Sequence, residues 1–440
     1  MQTTLETLGQ LERRLHVAVP LDQIDGEVHR RLAKLAKTVK IAGFRPGKVP
    51  LKMVAQQYGP QVRSDVISDT VQASVNDAIR AQNLRVAGYP RIEPKEGAAG
   101  DQLEFSAVFE VYPEIKLGEL SGVTIERPKA EVTPADVDRT IEVLRRQNAH
   151  YHAVARPAAE GDRAVVDFTG TIDGVAFAGG QAKDFPIVIG EGRMLPEFET
   201  ALTGMTAGGT RSFGLVFPGD YHGREVAGKR AEFALTVQSV AEPHLPAVDA
   251  DFARRFGIAS GSVDELRAEI GANLALELKR KIAMRVREQV LRALKQTSDL
   301  TVPRSLVEAE AQILMSRAAS DLQSRGVKPD DMRLSSEAFR PQAEERVAYG
   351  LIVNELTRLH ALGARPEQVL ALVRDAAQAY EQPDAVVRWH YEKPERLNDF
   401  EAQAVEQNVV DWALSKARVE DRPTSFAAVM DAPLQPAGNP

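Results

Sequence analysis

The feature that most restricts the fold is an abrupt change of texture across residues 150–243. Here the chain is written as short apolar runs separated by glycines: AVVDFTG, FPIVIG, RSFGLVFP and AEFALTVQSV. Such runs read as strands, and Asp173-Gly174 between the first two is a hairpin signal. The segment is therefore expected to form an antiparallel sheet domain, with one short helix around residues 196–202. Glycines and short strands dominate here, unlike the residues on its C-terminal side.

Those C-terminal residues are almost all helical in pattern. Ser262-x-x-Glu265 reads as a capping box. Val263, Leu266, Ile270, Leu274, Leu278, Ile282, Val286, Val290 and Leu294 then recur every three or four residues, which predicts a helix of more than 30 residues. Further helices are expected near 304–325, 336–362, 366–380 and 384–417. The helical domain spans 244–430, and residues 431–440 read as a disordered tail. Residues 1–113 read as an α+β unit. It has a strand at 11–19, an amphipathic helix carrying Leu21, Ile24, Val28, Leu32, Leu35 and Val39, and a loop at 43–50. A second helix carries Val62, Val66, Val71, Val75 and Ile79, and strands come next at 84–92 and 103–111. Residues 114–149 form a connector with a strand at 123–127 and a helix entered at Thr133-Pro134. The expected fold class is thus multidomain α+β: an N-terminal α+β domain, an antiparallel sheet domain and an all-α C-terminal domain. A chain of 440 residues has room for about three domains.

Several chemistries are excluded. The chain has no cysteine, so disulfides, thiolate catalysis and Cys-ligated metals are out. None of the eight histidines falls at a metal-ligand spacing, and His150 and His152 read as linker side chains. There is no Gly-x-Ser-x-Gly elbow, no secretory signal and no run of 18 apolar residues. The expectation is a cytoplasmic protein with no cofactor, no metal and no membrane partner.

Charge isolates one further region. The chain carries −7, yet residues 26–60 hold Arg30, Arg31, Lys34, Lys37, Lys40, Arg45, Lys48 and Lys52 against the single acid Glu27, a net +7. Such a window is either a solvated helix face or a docking surface for phosphate. Phe44, Arg45 and Lys48 at a Gly-flanked tip suit RNA, where stacking and arginine contacts combine. Gly43-x-x-x-Gly47-Lys48-Val49 is not a nucleotide loop: it is one residue short and has Val where Ser or Thr must hold magnesium. Residues 43–50, GFRPGKVP, instead resemble the ribosome-binding signature of the trigger factor family of bacterial ribosome-associated chaperones. That resemblance implies docking of Phe44, Arg45 and Lys48 on protein and rRNA beside the nascent-chain exit tunnel. It also implies ATP-independent binding of nascent and unfolded polypeptides, and self-association off the ribosome. Residues 114–149 would pack with the helical domain, leaving the sheet domain as an insertion.

The order of motifs in residues 150–243 is similar to an FKBP-type peptidyl-prolyl isomerase. Gly161-Asp162, Phe168-Thr169-Gly170, Phe177, Phe185-Pro186, Met194-Leu195-Pro196-Glu197-Phe198, Phe217-Pro218, Tyr221 and Phe233 come one after another as in that family. The resemblance implies a pocket lined by Phe168, Phe177, Phe185, Met194, Leu195, Phe198, Tyr221 and Phe233. Phe198 would be its floor, and the Leu195 N–H would hold a substrate carbonyl. Ala178 stands where many relatives carry an acid, and Glu197 replaces a frequent glycine. A packed core would use the same aromatic residues, and some of the rings serve both ends. An RNA-binding assembly factor with an inert isomerase-like domain is the alternative reading.

Overall fold

The structure is a computed structural model describing residues 2–40, 44, 49–95, 102–219, 221, 223, 225–326, 334–378 and 380–432, the Ala178 side chain apart. Arg45, Pro46 and Lys48 of the basic loop, and residues 433–440 of the expected tail, lie outside the described residues. The described chain divides into two compact units, residues 2–127 with 284–421, and residues 128–283 with 422–432.

In the first unit, strands β1 (Gln2–Thr7), β2 (Glu12–Pro20), β3 (Val86–Pro94) and β4 (Gln102–Val111) form an antiparallel sheet in the order β1-β2-β4-β3. Alternation along β2 buries Leu15, Val17 and Val19. These meet Ile24 of helix α1 (Leu21–Leu35), Val66 and Val75 of α2 (Leu51–Ala81), and Phe105 and Phe109 of β4. Periodicity alone would carry α1 on to Val39. The helix instead closes at Leu35 in a turn, and Val39 packs beside Leu32, Val49 and Val54 at the base of the basic loop. β1 has no signature: QTTLET is polar, and only its pairing with β2, Gln2 opposite Ala18, makes it a strand.

The helical part of this unit holds α7 (Arg304–Ser324), α8 (Arg340–His360), α9 (Pro366–Ala377), α10 (Pro383–Tyr391) and α11 (Asn398–Lys416). Val307, Ala311 and Leu314 of α7 bury Ala343 of α8, while Val369 and Val373 of α9 bury Ala404 of α11. The single helix expected at 384–417 is broken at Pro394, which lacks an amide donor and starts a short 3-10 turn, Pro394–Arg396. The first turn of α7 sits on the N-terminal sheet. Ser305 donates its N–H to Glu110 at 2.7 Å and its hydroxyl to the Ala87 carbonyl at 2.9 Å.

In the second unit, α3 (Pro134–Gln147) starts at Thr133, whose N–H donates to the Asp136 carboxylate at 2.9 Å. Its Val137 and Ile141 bury Phe252 of α5 (Ala250–Arg255) and Leu266 and Ile270 of α6 (Val263–Thr297). The capping box at α6 is half formed. Ser262 accepts the Glu265 N–H at 3.3 Å, but the Glu265 carboxylate takes the Ser260 hydroxyl instead of the Ser262 N–H.

The sheet of this unit comprises β6 (His150–Ala153), β7 (Arg163–Ile172), β8 (Val175–Val188), β9 (Thr210–Val216) and β10 (Arg230–His244), with α4 (Pro196–Leu202) between β8 and β9. The order is β6-β10-β7-β8, and β9 also pairs with β10. Asp173 and Gly174 both take positive φ, 51° and 79°, which matches the turn to the twist of the β7–β8 hairpin. His150 and His152, expected in a linker, instead stand on β6 opposite His244 and Glu242. A four-residue strand has no period of its own, and only its partner reveals it. β5 (Thr124–Lys129), close to the extended piece expected at 123–127, pairs with β11 (Arg418–Pro423); β11 and helix α12 (Phe426–Asp431) are elements that the sequence reading left out. Among the described residues no helix is long and apolar enough to cross a membrane.

Candidate functional site

Alternation along β7 points Ala164, Val166 and Phe168 to one face of the sheet, where α4 covers them. Pro196 fits the first turn of α4, where its missing donor costs nothing. Phe198, in the same turn, is only 1% exposed. Its ring meets Phe168 edge-on at 5.2 Å, Phe213 at 5.2 Å and Phe233 at 5.6 Å between centroids. Phe185 approaches Phe168 at 5.9 Å and Phe177 approaches Phe233 at 6.1 Å, both edge-on. Tyr221 reaches the cluster through Phe217, at 4.7 Å. Met194 and Leu195 pack half-buried against the same core. Each edge-to-face pair adds about 0.5–1.5 kcal/mol beyond the area it buries.

All eight residues singled out in the sequence thus belong to one cluster, graded by depth. Phe168, Phe198 and Phe233 are buried, Phe177, Met194, Leu195 and Tyr221 are partly open, and Phe185 is 41% exposed. Sequence reasoning passed over Phe213, which stacks on Phe233 at 5.8 Å. Its signal was available: Phe213, Leu215 and Phe217 alternate along one strand and so share a face. Glycine is required where these rings lie flat on backbone. A Cβ on Gly170 would fall 2.6 Å from the Phe233 ring.

The polar framework sits at the margin. Asp162 is buried at the start of β7, where Arg156 holds both its oxygens at 2.6 and 3.0 Å and the Ala159 N–H donates at 2.9 Å. Burial is the largest single influence on its carboxyl and pushes its pKa up. The Arg156 hydrogen bonds, the Ala159 N–H and the Arg156 charge together reverse this, leaving it below the usual range. The Leu195 N–H donates to no backbone carbonyl among the described residues. Among the described residues no three His, Asp or Glu side chains converge to hold a metal. The cluster offers an apolar wall and a backbone donor, the means to strip water from an amide and hold its carbonyl.

At the basic loop, Phe44 is exposed. Lys34, Lys37, Lys40 and Lys52 are exposed too and enter no ion pair among the described residues. Arg30 and Arg31 are both drawn to Glu27, and Arg31 also to Asp69 at 2.8 Å. The free positive charge is therefore narrower than the sequence count suggested. The helical part of the first unit leaves large side chains in solvent, among them Ile313, Leu359, Tyr380 and Tyr391.

Comparison with known proteins is consistent along the whole chain. The family model described as bacterial trigger factor protein matches residues 1–144, and the model of its C-terminus matches 262–415. The FKBP-type peptidyl-prolyl cis-trans isomerase model matches 154–238. The chain is 52% identical to the trigger factor of Aromatoleum aromaticum over 98% of its own length and 99% of the relative's. It is 51% identical to that of Nitrosospira multiformis, again over 98% and 99%. A solved trigger factor chaperone, 18% identical, aligns over 94% of this chain and 100% of its own at a TM-score of 0.47.

Proposed function

The chain belongs to the trigger factor family, as a ribosome-associated chaperone with peptidyl-prolyl cis-trans isomerase activity, and we propose how its residues divide that work. The isomerase site is the cluster of Phe168, Phe177, Phe185, Met194, Leu195, Phe198, Tyr221 and Phe233. The observation that carries this reading is the graded depth of the rings: a fully buried Phe198 floor beneath walls that still reach solvent.

Rotation about an X–Pro bond must break amide resonance, a barrier of about 18–20 kcal/mol. The planar ground state carries the larger charge separation, and water stabilises it. An apolar pocket withdraws that water, so the twisted state is favoured relative to the planar one. Phe198 seats the proline ring, and the Leu195 N–H, with no backbone acceptor among the described residues, holds the preceding carbonyl. No nucleophile, metal, cofactor or nucleotide enters the step.

Docking on the ribosome falls to the loop at 43–50, through Phe44, Arg45 and Lys48, with Lys34, Lys37, Lys40 and Lys52 supplying the field that draws it to rRNA at the exit tunnel. The setting is cytoplasmic, with self-association away from the ribosome. Residues 1–113 serve as the docking domain, 150–243 as an inserted isomerase domain, and 244–430, packed with 114–149, as the body that holds nascent and unfolded chains without ATP. The packing of α3 on α5 and α6 supports that last pairing.

Ribosome cosedimentation tests the docking assignment. Replacing Phe44, Arg45 and Lys48 together by Ala should abolish cosedimentation and leave circular dichroism unchanged. Rising salt should weaken the wild type, because each phosphate contact releases counterions. Undiminished binding by the triple variant would refute the loop's role.

A further inference from the structure

The pocket face of the sheet conceals a problem of phase. In a regular strand, residues an odd number apart point to opposite faces. On β8, Ala182 stands opposite Phe168 and Phe185 opposite Val166, both inward positions of β7. Ala182 and Phe185 are three residues apart, so an unbroken strand would turn Phe185 away from the pocket. The register shifts between these pairs: Lys183 and Asp184 together oppose the single residue Asp167, and Asp184 takes a left-handed φ of 51°. β10 has the same difficulty. Phe233, Leu235 and Val237 are buried, but so is Val240, and the register shifts between Val237 and Ser239 to leave Gln238 as the extra residue.

One side chain answers both shifts. From the outward face of β7, Asp167 accepts the Asp184 N–H with one oxygen at 2.8 Å and the Gln238 side-chain amide with the other at 2.7 Å. On the β8 side the Asp167 carboxylate takes the main-chain N–H of bulge residue Asp184, and on the β10 side it takes the side-chain amide of the extra residue, Gln238. We propose that Asp167 is a positioning residue for prolyl isomerisation, pinning a bulge in each flanking strand so that Phe185 is turned onto the pocket. The Asp184 N–H, and after it the Gln238 amide, hold the Asp167 carboxyl below its ordinary range, so it stays ionised and keeps both acceptors. Phe185 depends most on the lock, because it comes directly after the left-handed residue and is 41% exposed, with little packing of its own to hold it.

This assignment rests on the pocket reading, and the test keeps the two apart. In the full-length chain, kcat/KM on a proline-containing peptide is measured for Asp167→Ala, Asp167→Asn, Phe185→Ala and the Asp167→Ala/Phe185→Ala pair, with the Phe185 ring followed by NMR. Asp167→Ala should lower kcat/KM about fivefold or more and shift or broaden the Phe185 ring signal. Asp167→Asn keeps one acceptor oxygen for the Asp184 N–H and should recover part of the loss. It also carries the test alone if the alanine variant does not fold. With Phe185 already replaced, Asp167→Ala should change kcat/KM by less than about twofold, because the coupled part is gone. Equal losses with and without Phe185, or an unmoved Phe185 signal in a variant that has lost activity, would overturn the proposal. Full activity in Phe198→Ala would instead strike the pocket reading, while the Phe185 signal still judges the lock without turnover.

Discussion

The sheet of the second unit and the helices of the first use their apolar residues differently. In the sheet, seven phenylalanines and Tyr221 converge through ring contacts of 4.7–6.1 Å, and only the walls of the cluster meet solvent. In the helices, small residues close the contacts: Ala311, Ala343 and Ala404 sit where α7 meets α8 and α9 meets α11. Larger side chains such as Leu314 and Val373 are buried beside them, but others stay outside, with Ile313 and Leu359 each about half exposed. A ring cluster of fixed geometry can distinguish a planar amide from a twisted one. Scattered apolar side chains on a helical surface suit a partner without fixed shape. The two activities of the chain thus need different kinds of surface, and so should separate.

The most severe test of that contrast removes one side of it. His150 and His244 are register partners at the sheet edge, so the two ends of the domain lie side by side. Replacing residues 150–244 by a short Gly/Ser linker should leave the α3–α5–α6 core folded. Prolyl isomerase activity should vanish, while aggregation of a refolding client should still be suppressed without ATP. A folded deletion variant that no longer protects the client would place chaperoning in the sheet domain.

A smaller cut is made at the floor. Phe198→Ala should lower kcat/KM by about tenfold or more, equivalent to about 1.4 kcal/mol of transition-state stabilisation. Because Phe198 is also core, the sheet domain should lose about 3–5 kcal/mol of stability. Calorimetry must therefore accompany the assay, and the melting of the helical part should not move. A folded variant with undiminished turnover would mean that the ring is core alone.

The mildest probe is pH. Asp162 has a folded-state pKa below its unfolded value of about 3.9. Its contribution is therefore fully present above that value and is lost as pH falls through the folded pKa. Asp162→Ala should cost the sheet domain about 2 kcal/mol at neutral pH, because Arg156 and the Ala159 N–H lose their acceptor. The gap from wild type should close in acid. A gap that persists unchanged at pH 2 would show that the carboxylate's charge is not what holds the 156–162 turn.

Much of the plan was legible in the chain. The short helix at 196–202, the hairpin at Asp173-Gly174 and the helix beginning at Val263 each carry a local signal: a proline at the first turn, residues tolerant of positive φ, and a period of three or four sustained past thirty residues. The eight residues named from the order of motifs fall in one ring cluster, and glycine marks where a ring presses on backbone, as Phe233 does on Gly170. Elements made only by distant partners were not readable. β1, β6 and β11 are short or polar, and nothing within QTTLET, HYHA or RVEDRP distinguishes a strand from a loop. Residue order was enough to mark most helices and the longer strands and to gather the aromatic side chains into one domain, because period and turn chemistry are local. The direction Phe185 faces and the service of Asp167 to two strands at once came from tertiary packing alone. They depend on bulges and cross-strand hydrogen bonds between residues far apart in the chain, which no local pattern encodes.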